Sequence, residues 1–251
     1  MKLLEGKNLI RNYTVEGEKG TKEIQVIKGI DLRVEEKERI AIMGRSGCGK
    51  TTLLKLLGLI DGPTGGELCF KGKKVNEISS EELADYRREK IGFVFQDFYL
   101  MEGLSVLENI MLPMLIDEQN IEETIEKAKE LAGKLQIGHL LDKRLSEISG
   151  GEKQRIAIAR ALIHDPDVIL ADEPTGNLDS KSGRMVMDIL ESINREWEKT
   201  IVIVTHDPQI ACRCERVLLM KDGKIWEEIH PRGENGRERE AEYIFRKMLE
   251  L

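Results

Sequence analysis

Gly44-Arg45-Ser46-Gly47-Cys48-Gly49-Lys50-Thr51-Thr52 follows the apolar run Ile40-Ala41-Ile42-Met43 and precedes Leu53-Leu54-Lys55-Leu56-Leu57. A buried strand, a glycine-rich turn and an amphipathic helix thus follow one another, the context that gives a G-x-x-x-x-G-K-[ST] match its meaning. Gly44, Gly47 and Gly49 let the backbone curl around a phosphate with its amides pointing inward, and Ser46 and Cys48 complete the loop. Polyphosphate charge then faces the unpaired amides and positive dipole end of the next helix. Lys50 is expected to reach the β and γ phosphates as a point charge. The Thr51 hydroxyl is placed to complete the shell of a Mg²⁺ ion, with Thr52 beside it at the helix start.

A second apolar run, Val168-Ile169-Leu170-Ala171, ends in Asp172-Glu173-Pro174. Carboxylates at the carboxyl end of a parallel strand lie where the ligand crevice of an α/β sheet opens. Asp172 is therefore expected to orient Mg²⁺, and Glu173 to accept a proton from attacking water beside the γ phosphate. Ser149-Gly150-Gly151-Glu152 opens the helix that runs through Ile156-Ala157-Ile158-Ala159, and it too presents amides to an anion. One nucleotide pocket does not need two anion-binding helix starts about a hundred residues apart, so the second is expected to serve a nucleotide held mostly by another subunit. A third apolar run, Ile201-Val202-Ile203-Val204, leads into Thr205-His206-Asp207-Pro208. Asp207 as N-cap with Pro208 at the first helical position predicts a helix through about Cys214. His206 then sits at the strand-helix junction, on the edge that carries the carboxylates.

The 251 residues carry 46 acidic and 39 basic side chains, a formal charge of -7. That balance argues against a dedicated nucleic-acid binder. The apolar runs are strand-sized and interrupted by charge, and the start Met1-Lys2-Leu3-Leu4-Glu5 has no signal-peptide core, so a cytoplasmic chain without a membrane span is expected. Cys48, Cys69, Cys212 and Cys214 form no C-x-x-C pair and read as reduced thiols.

Loose alternation over 3–15, a turn at Glu16-Gly17-Glu18-Lys19-Gly20, and the runs 24–27 and 29–34 predict three early strands. Glu67-Leu68-Cys69-Phe70 and Lys73-Lys74-Val75 predict a small hairpin, Ile91-Gly92-Phe93-Val94-Phe95 a strand ending at Gln96. Beyond it the strand signal vanishes. Ser105-Val106-Leu107-Glu108 has capping-box spacing, and Ile121, Ile125, Ala128, Leu131, Ala132 and Leu135 line one helix face. Val217-Leu218-Leu219-Met220 and Lys224-Ile225-Trp226 predict a hairpin with an Asp222-Gly223 turn. A loop at 231–237 leads to an amphipathic helix using Ala241, Ile244, Phe245, Met248 and Leu249. The expectation is an α/β phosphate-loop (P-loop) nucleotide-binding domain with a mainly parallel sheet, an antiparallel β edge subdomain and an inserted helical lobe. Residues 1–96 and 150–226 make the core, 97–149 the lobe, and 227–251 the C-terminal loop and helix.

With these motifs in this order, residues 3–226 resemble the ATP-binding subunit of an ABC transporter. The resemblance implies ATP and Mg²⁺ as ligands, a homodimer formed on ATP binding, and an integral membrane permease subunit docked on the helical lobe at the inner face of the cell membrane. It makes Tyr13 the aromatic that stacks on adenine and Gln96 the residue that senses Mg²⁺ and the lobe interface. Ser149, Gly150, Gly151 and Glu152 become the signature that meets the partner's γ phosphate, Asp179 the dimer-communication residue and His206 the switch histidine. Asp172-Glu173-Pro174-Thr175-Gly176-Asn177-Leu178-Asp179 and Leu104-Ser105-Val106-Leu107-Glu108-Asn109-Ile110-Met111-Leu112-Pro113 are similar to the branch of lipoprotein-release, macrolide-export and cell-division ATPases. In that branch ATP-driven closure transmits force across the membrane. The chain departs from the family pattern at Ile148, where Leu is usual, at Glu152, where Gln is commoner, and at Lys37, where Gly is usual. Two alternatives share the catalytic residues: a regulatory ATPase that controls a membrane complex without transport, and a soluble ABC ATPase.

Overall fold

Alternating apolar side chains draw the start of the chain into β1 (Lys2–Gly17), which pairs antiparallel with β2 (Gly20–Glu35). The structure is a computed structural model that describes residues 1–17, 20–232 and 236–251. Glu18 and Lys19 of the expected turn, and 233–235 of the expected loop, lie outside the described residues. Where two short strands were expected over 24–27 and 29–34, there is one continuous strand. The break at Lys28-Gly29 is absorbed by a bulge: Gly6 pairs with Leu32, Leu9 with Ile30 and Ile10 with Lys28, and Gly29 takes the extra place at φ +84°.

The apolar run at 40–43 becomes β3 (Arg39–Gly44), with Ile40, Ala41, Ile42 and Met43 wholly buried. A strand covered on both faces needs an uninterrupted apolar stretch rather than alternation. The helix after the glycine loop, α1 (Lys50–Leu57), buries Leu53, Leu54, Leu56 and Leu57. Next come β4 (Gly65–Phe70) and the two-residue β5 (Lys73–Lys74), which complete an antiparallel sheet in the order β2-β1-β4-β5. The polar helix α2 (Ser80–Glu89) follows.

The chain forms two compact units, Met1–Ala84 with Val202–Leu251, and Asp85–Ile201. The second contains β6 (Ile91–Phe95), α3 (Val106–Ile116), α4 (Ile121–Lys134), α5 (Gly150–Leu162), β7 (Val168–Asp172) and α6 (Ser180–Glu196). β6 and β7 run parallel, with Ile91 beside Val168 and Phe95 beside Asp172. α5 packs on β6, α3, α4 and α6. It buries Ile156, Ala157, Ile158, Ala159 and Leu162, and Val168, Ile169, Leu170 and Ala171 of β7 are wholly buried. The expected capping box opens α3: Glu108 N–H donates to Ser105 Oγ at 3.2 Å, and Ser105 N–H to Glu108 Oε2 at 2.7 Å. Asn120 caps α4 in turn, accepting from the amides of Glu122 and Glu123.

The chain passes through β8 (Thr200–Val204) into the first unit, where its end lies beside β3, and continues through α7 (Pro208–Ala211), β9 (Arg216–Lys221), β10 (Lys224–Ile229) and α8 (Arg237–Leu249). β9 pairs parallel with β3 and antiparallel with β10. Asp207 accepts from Gln209 N–H and Pro208 opens α7 as expected, but the helix ends at Ala211 rather than near Cys214. Its exit tightens into three-residue turns, Arg213 N–H to Ile210 O at 3.1 Å and Cys214 N–H to Ala211 O at 2.9 Å, which return the chain to β9 within a few residues. Of the apolar face expected on α8, Ile244 is buried while Phe245 and Leu249 are exposed. Among the described residues no helix is long and apolar enough to cross a membrane.

Candidate functional site

In the first unit the loop 44–49 turns on three glycines. Gly47 and Gly49 take φ of +78° and +106°, a region that costs other residues, and Gly49 is the N-cap of α1. A Cβ on Gly44 would lie 2.4 Å from Met220 O and 2.6 Å from Cys48 Sγ, so the loop packs against β9 only without a side chain there. Lys50 folds back over this turn, and its ammonium donates to Gly44 O at 2.9 Å and Arg45 O at 3.1 Å. Ser46 and Gly47 are exposed, Cys48 is buried, and Thr51 and Thr52 lie in the first turn of α1. Burial pushes the Cys48 thiol up from its ordinary pKa against the opposing pull of Lys50.

The hairpin between β9 and β10 braces the loop from behind. Asp222 and Gly223 have φ of +47° and +82°, both positive as a two-residue type I′ turn requires. Gly223 N–H donates to Cys48 O at 3.1 Å, and Gly223 O accepts from Lys28 N–H at 2.9 Å. A Cβ on Gly223 would lie 2.2 Å from the backbone oxygen of Val26. Gly223→Ala is therefore expected to lower unfolding free energy by about 1–3 kcal/mol. A denaturant titration reads this, and an unshifted midpoint would show that the turn relaxes freely.

Two more expected site residues belong to this unit. Thr205 N–H donates to Ile42 O at 3.1 Å, so the exposed His206 follows a strand end tied two residues before the phosphate loop. Tyr13, on β1, donates its hydroxyl to Asp61 Oδ2 at 2.5 Å, and the Arg11 guanidinium lies 4.7 Å over its ring. A base stacked on Tyr13 would use the opposite ring face.

The second unit gathers the others. The register of Phe95 with Asp172 places Gln96 and Glu173 at the carboxyl ends of neighbouring parallel strands. Glu173 is half-buried and holds φ at +48°, the left-handed region. A non-glycine residue there stores of order 1–3 kcal/mol of strain, a cost that clusters at functional positions because it aims a side chain. The starts of α5 and α6 lie together: a Cβ on Gly151 would be 2.9 Å from Ser182 Cβ, and one on Gly150 3.3 Å from Leu178 Cδ2. Two positive helix ends thus reinforce one another. Ser149 caps α5, its N–H and Oγ donating to Glu152 Oε2 at 2.9 and 2.5 Å, and these bonds hold the Glu152 carboxyl below its ordinary pKa, the hydroxyl most strongly. Asp179 caps α6 with bonds from the amides of Lys181 and Ser182, and the Ser182 hydroxyl lowers its pKa most.

Three residues to which the sequence assigns no role also shape this unit. The buried Gln154 donates to Phe95 O at 3.3 Å and Pro174 O at 2.7 Å, joining α5 to both strand ends. Arg160 donates to Phe98 O and Tyr99 O, holding two successive left-handed residues at φ of +61° and +47°. Asn177 bonds to the side chain of Gln96 at 3.0 Å. Gln154 stands out in the sequence as a glutamine among the apolar residues that α5 buries, and Asn177 lies within the Asp172–Asp179 motif.

Comparison with known proteins supplies the context. A family model described as ABC transporter matches residues 27–176. The bacitracin export ATP-binding protein BceA of Halalkalibacterium halodurans is 44% identical over 95% of this chain and 92% of its own length. The lipoprotein-releasing system ATP-binding protein LolD of Desulfotalea psychrophila is 41% identical over 91% of this chain and 100% of its own. The ATP-binding cassette MJ0796, solved as a dimer in a post-hydrolysis state with ADP and Pi, superposes with a TM-score of 0.82 at 39% identity, covering 92% of this chain and 100% of that one.

Proposed function

This chain belongs to the ABC transporter family, and from that premise we propose that it is an ATP-hydrolysing subunit that pairs on binding ATP and drives a separate membrane permease, in export or mechanotransmission. The observation that carries the reading is the phosphate loop itself, a turn that packs at Gly44 only without a side chain, takes left-handed φ at Gly47 and Gly49, and has its lysine closed over it. That cradle fits a polyphosphate. The residues read from the sequence as Mg²⁺ ligands, Thr51 with its hydroxyl, Asp172 with its carboxylate and Gln96 with its amide oxygen, each offer a hard oxygen, the donor type that suits Mg²⁺. When bound, Mg²⁺ supplies charge neutralisation on the β and γ phosphates.

In this reading Lys50 and the amides of Gly47 and Gly49 bind the phosphates, and Tyr13 holds adenine. Glu173 orients water and takes its proton, and His206 keeps the water and γ phosphate in register. Ser149, Gly150, Gly151 and Glu152 of one copy serve the nucleotide of the other, with Asp179 communicating across the pair. The dimeric state of MJ0796 supports the pairing. The permease is assigned to the lobe 97–149, where Tyr99, Met101 and Ile116 are 62%, 55% and 72% exposed; such apolar exposure suits a partner surface. That partner would hold the chain at the inner face of the cell membrane.

Replacing Lys50 tests the core of the reading. Charge-assisted hydrogen bonds contribute about 1.5–3 kcal/mol, so Lys50→Ala is expected to weaken ATP binding by roughly 10- to 100-fold in calorimetry. Unchanged affinity would refute the nucleotide assignment.

A further inference from the structure

Asn177 lies four residues after Glu173 and two before Asp179, and its carboxamide makes three hydrogen bonds to the end of β6. Its Nδ2 donates to the backbone oxygen of Gln96 at 3.2 Å and to Asp97 Oδ1 at 2.9 Å. Its Oδ1 accepts from Gln96 Nε2 at 3.0 Å. The chemistry of these partners settles which way round both amides lie. A backbone carbonyl can only accept, as can a carboxylate, so the end of Asn177 that faces them is its NH₂ group. The other end, a carbonyl, meets Gln96, and only an NH₂ group can meet a carbonyl. Gln96 therefore turns its NH₂ toward Asn177 and its Oε1 away.

Gly176 leaves the space this arrangement uses. A Cβ there would lie 2.9 Å from Gln96 Cδ and 3.0 Å from Nε2. These atoms are the far end of a flexible side chain, so a methyl group at 176 would push the carboxamide aside without moving the backbone.

We propose that Asn177 is a positioning residue that orients the Gln96 carboxamide so that its oxygen, not its NH₂, is presented to the divalent cation accompanying the nucleotide. The proposal rests on the reading of Gln96 as a cation-sensing residue. A small divalent cation takes oxygen ligands in a demanding geometry, so an amide with its donor end forward contributes repulsion instead of a bond. Asn177 also links that oxygen to the segment between Glu173 and Asp179, so a change at the cation would be felt where water is activated.

The test titrates Mn²⁺ into the full chain with a non-hydrolysable ATP analogue and reads bound Mn²⁺ by electron paramagnetic resonance. Affinity for the analogue in EDTA and the melting temperature are measured alongside. Asn177→Ala is expected to weaken Mn²⁺ affinity about three- to tenfold, the worth of one hydrogen bond, with the EDTA affinity and melting temperature unmoved. Gly176→Ala should do the same by displacing Gln96, and adding either change to Gln96→Ala should cost nothing further. If Gln96→Ala weakens Mn²⁺ binding and neither neighbour does, the positioning role is overturned while the reading of Gln96 stands. If Gln96→Ala leaves Mn²⁺ affinity intact, that reading fails and carries the proposal with it. Equal losses with and without cation would mean that Asn177 merely supports the fold, which also overturns it.

Discussion

Glu173→Gln is expected to slow ATP turnover by about 10²–10⁴ while leaving ATP-dependent pairing intact. Glutamine matches glutamate in size and keeps one oxygen to hold water, but it cannot take the proton. The position favours a clean result, because the backbone at 173 is already held in the left-handed region by the turn that follows, where Gly176 N–H donates to Glu173 O at 3.0 Å. Glutamine has no stronger objection to that conformation than glutamate, so fold and nucleotide affinity should survive. Steady-state phosphate release and the ATP-dependent dimer fraction measure the two sides. Near-normal turnover would remove Glu173 from the role of base. Loss of pairing together with turnover would mean that the carboxylate holds the dimer rather than the water.

Ser149→Arg is expected to reduce turnover by about 10²–10³, the usual effect of losing one element that stabilises developing charge, because it puts a bulky side chain where the signature of one copy serves the γ phosphate of the other. Ser149 closes the capping box at the start of α5 and lies where the positive ends of α5 and α6 meet. Losing the cap costs about 0.5–2 kcal/mol of stability, too little to unfold a chain of this size. The informative experiment mixes two inactive variants. Ser149→Arg retains a sound phosphate loop and Lys50→Ala a sound signature, so a mixed pair rebuilds one intact site from two chains. With random pairing of a symmetric dimer, roughly a quarter of the sites should recover. Absence of recovery, in variants shown to pair, would mean that each chain hydrolyses ATP with its own α5.

Local chemistry carried most of the fold. β3, β7 and β8 were legible because uninterrupted apolar runs have few uses other than strands covered on both faces. Ser105 with Glu108, Asp207 with Pro208, and Asp222 with Gly223 were legible because caps and tight turns are settled by residues within three places of one another. The same locality explains the errors. Lys28-Gly29 looked like a gap between strands because the bulge that absorbs it exists only against β1, and α7 looked longer than it is because the demand to return to β9 is not written in its own residues.

The spacing of glycines, lysine and carboxylates by itself determined that this chain carries a phosphate loop, an acidic strand end and a second capped helix start. Each of those is a matter of φ, ψ and hydrogen bonds among near neighbours. Only the tertiary structure decided that Asn177 meets Gln96 across 81 positions, that Gln154 reaches Phe95 and Pro174, and that Gly223 braces Cys48. Such pairs depend on the register of β6 with β7 and of β3 with β9, which long-range packing sets, and no periodicity along the chain encodes which distant side chains that register brings together.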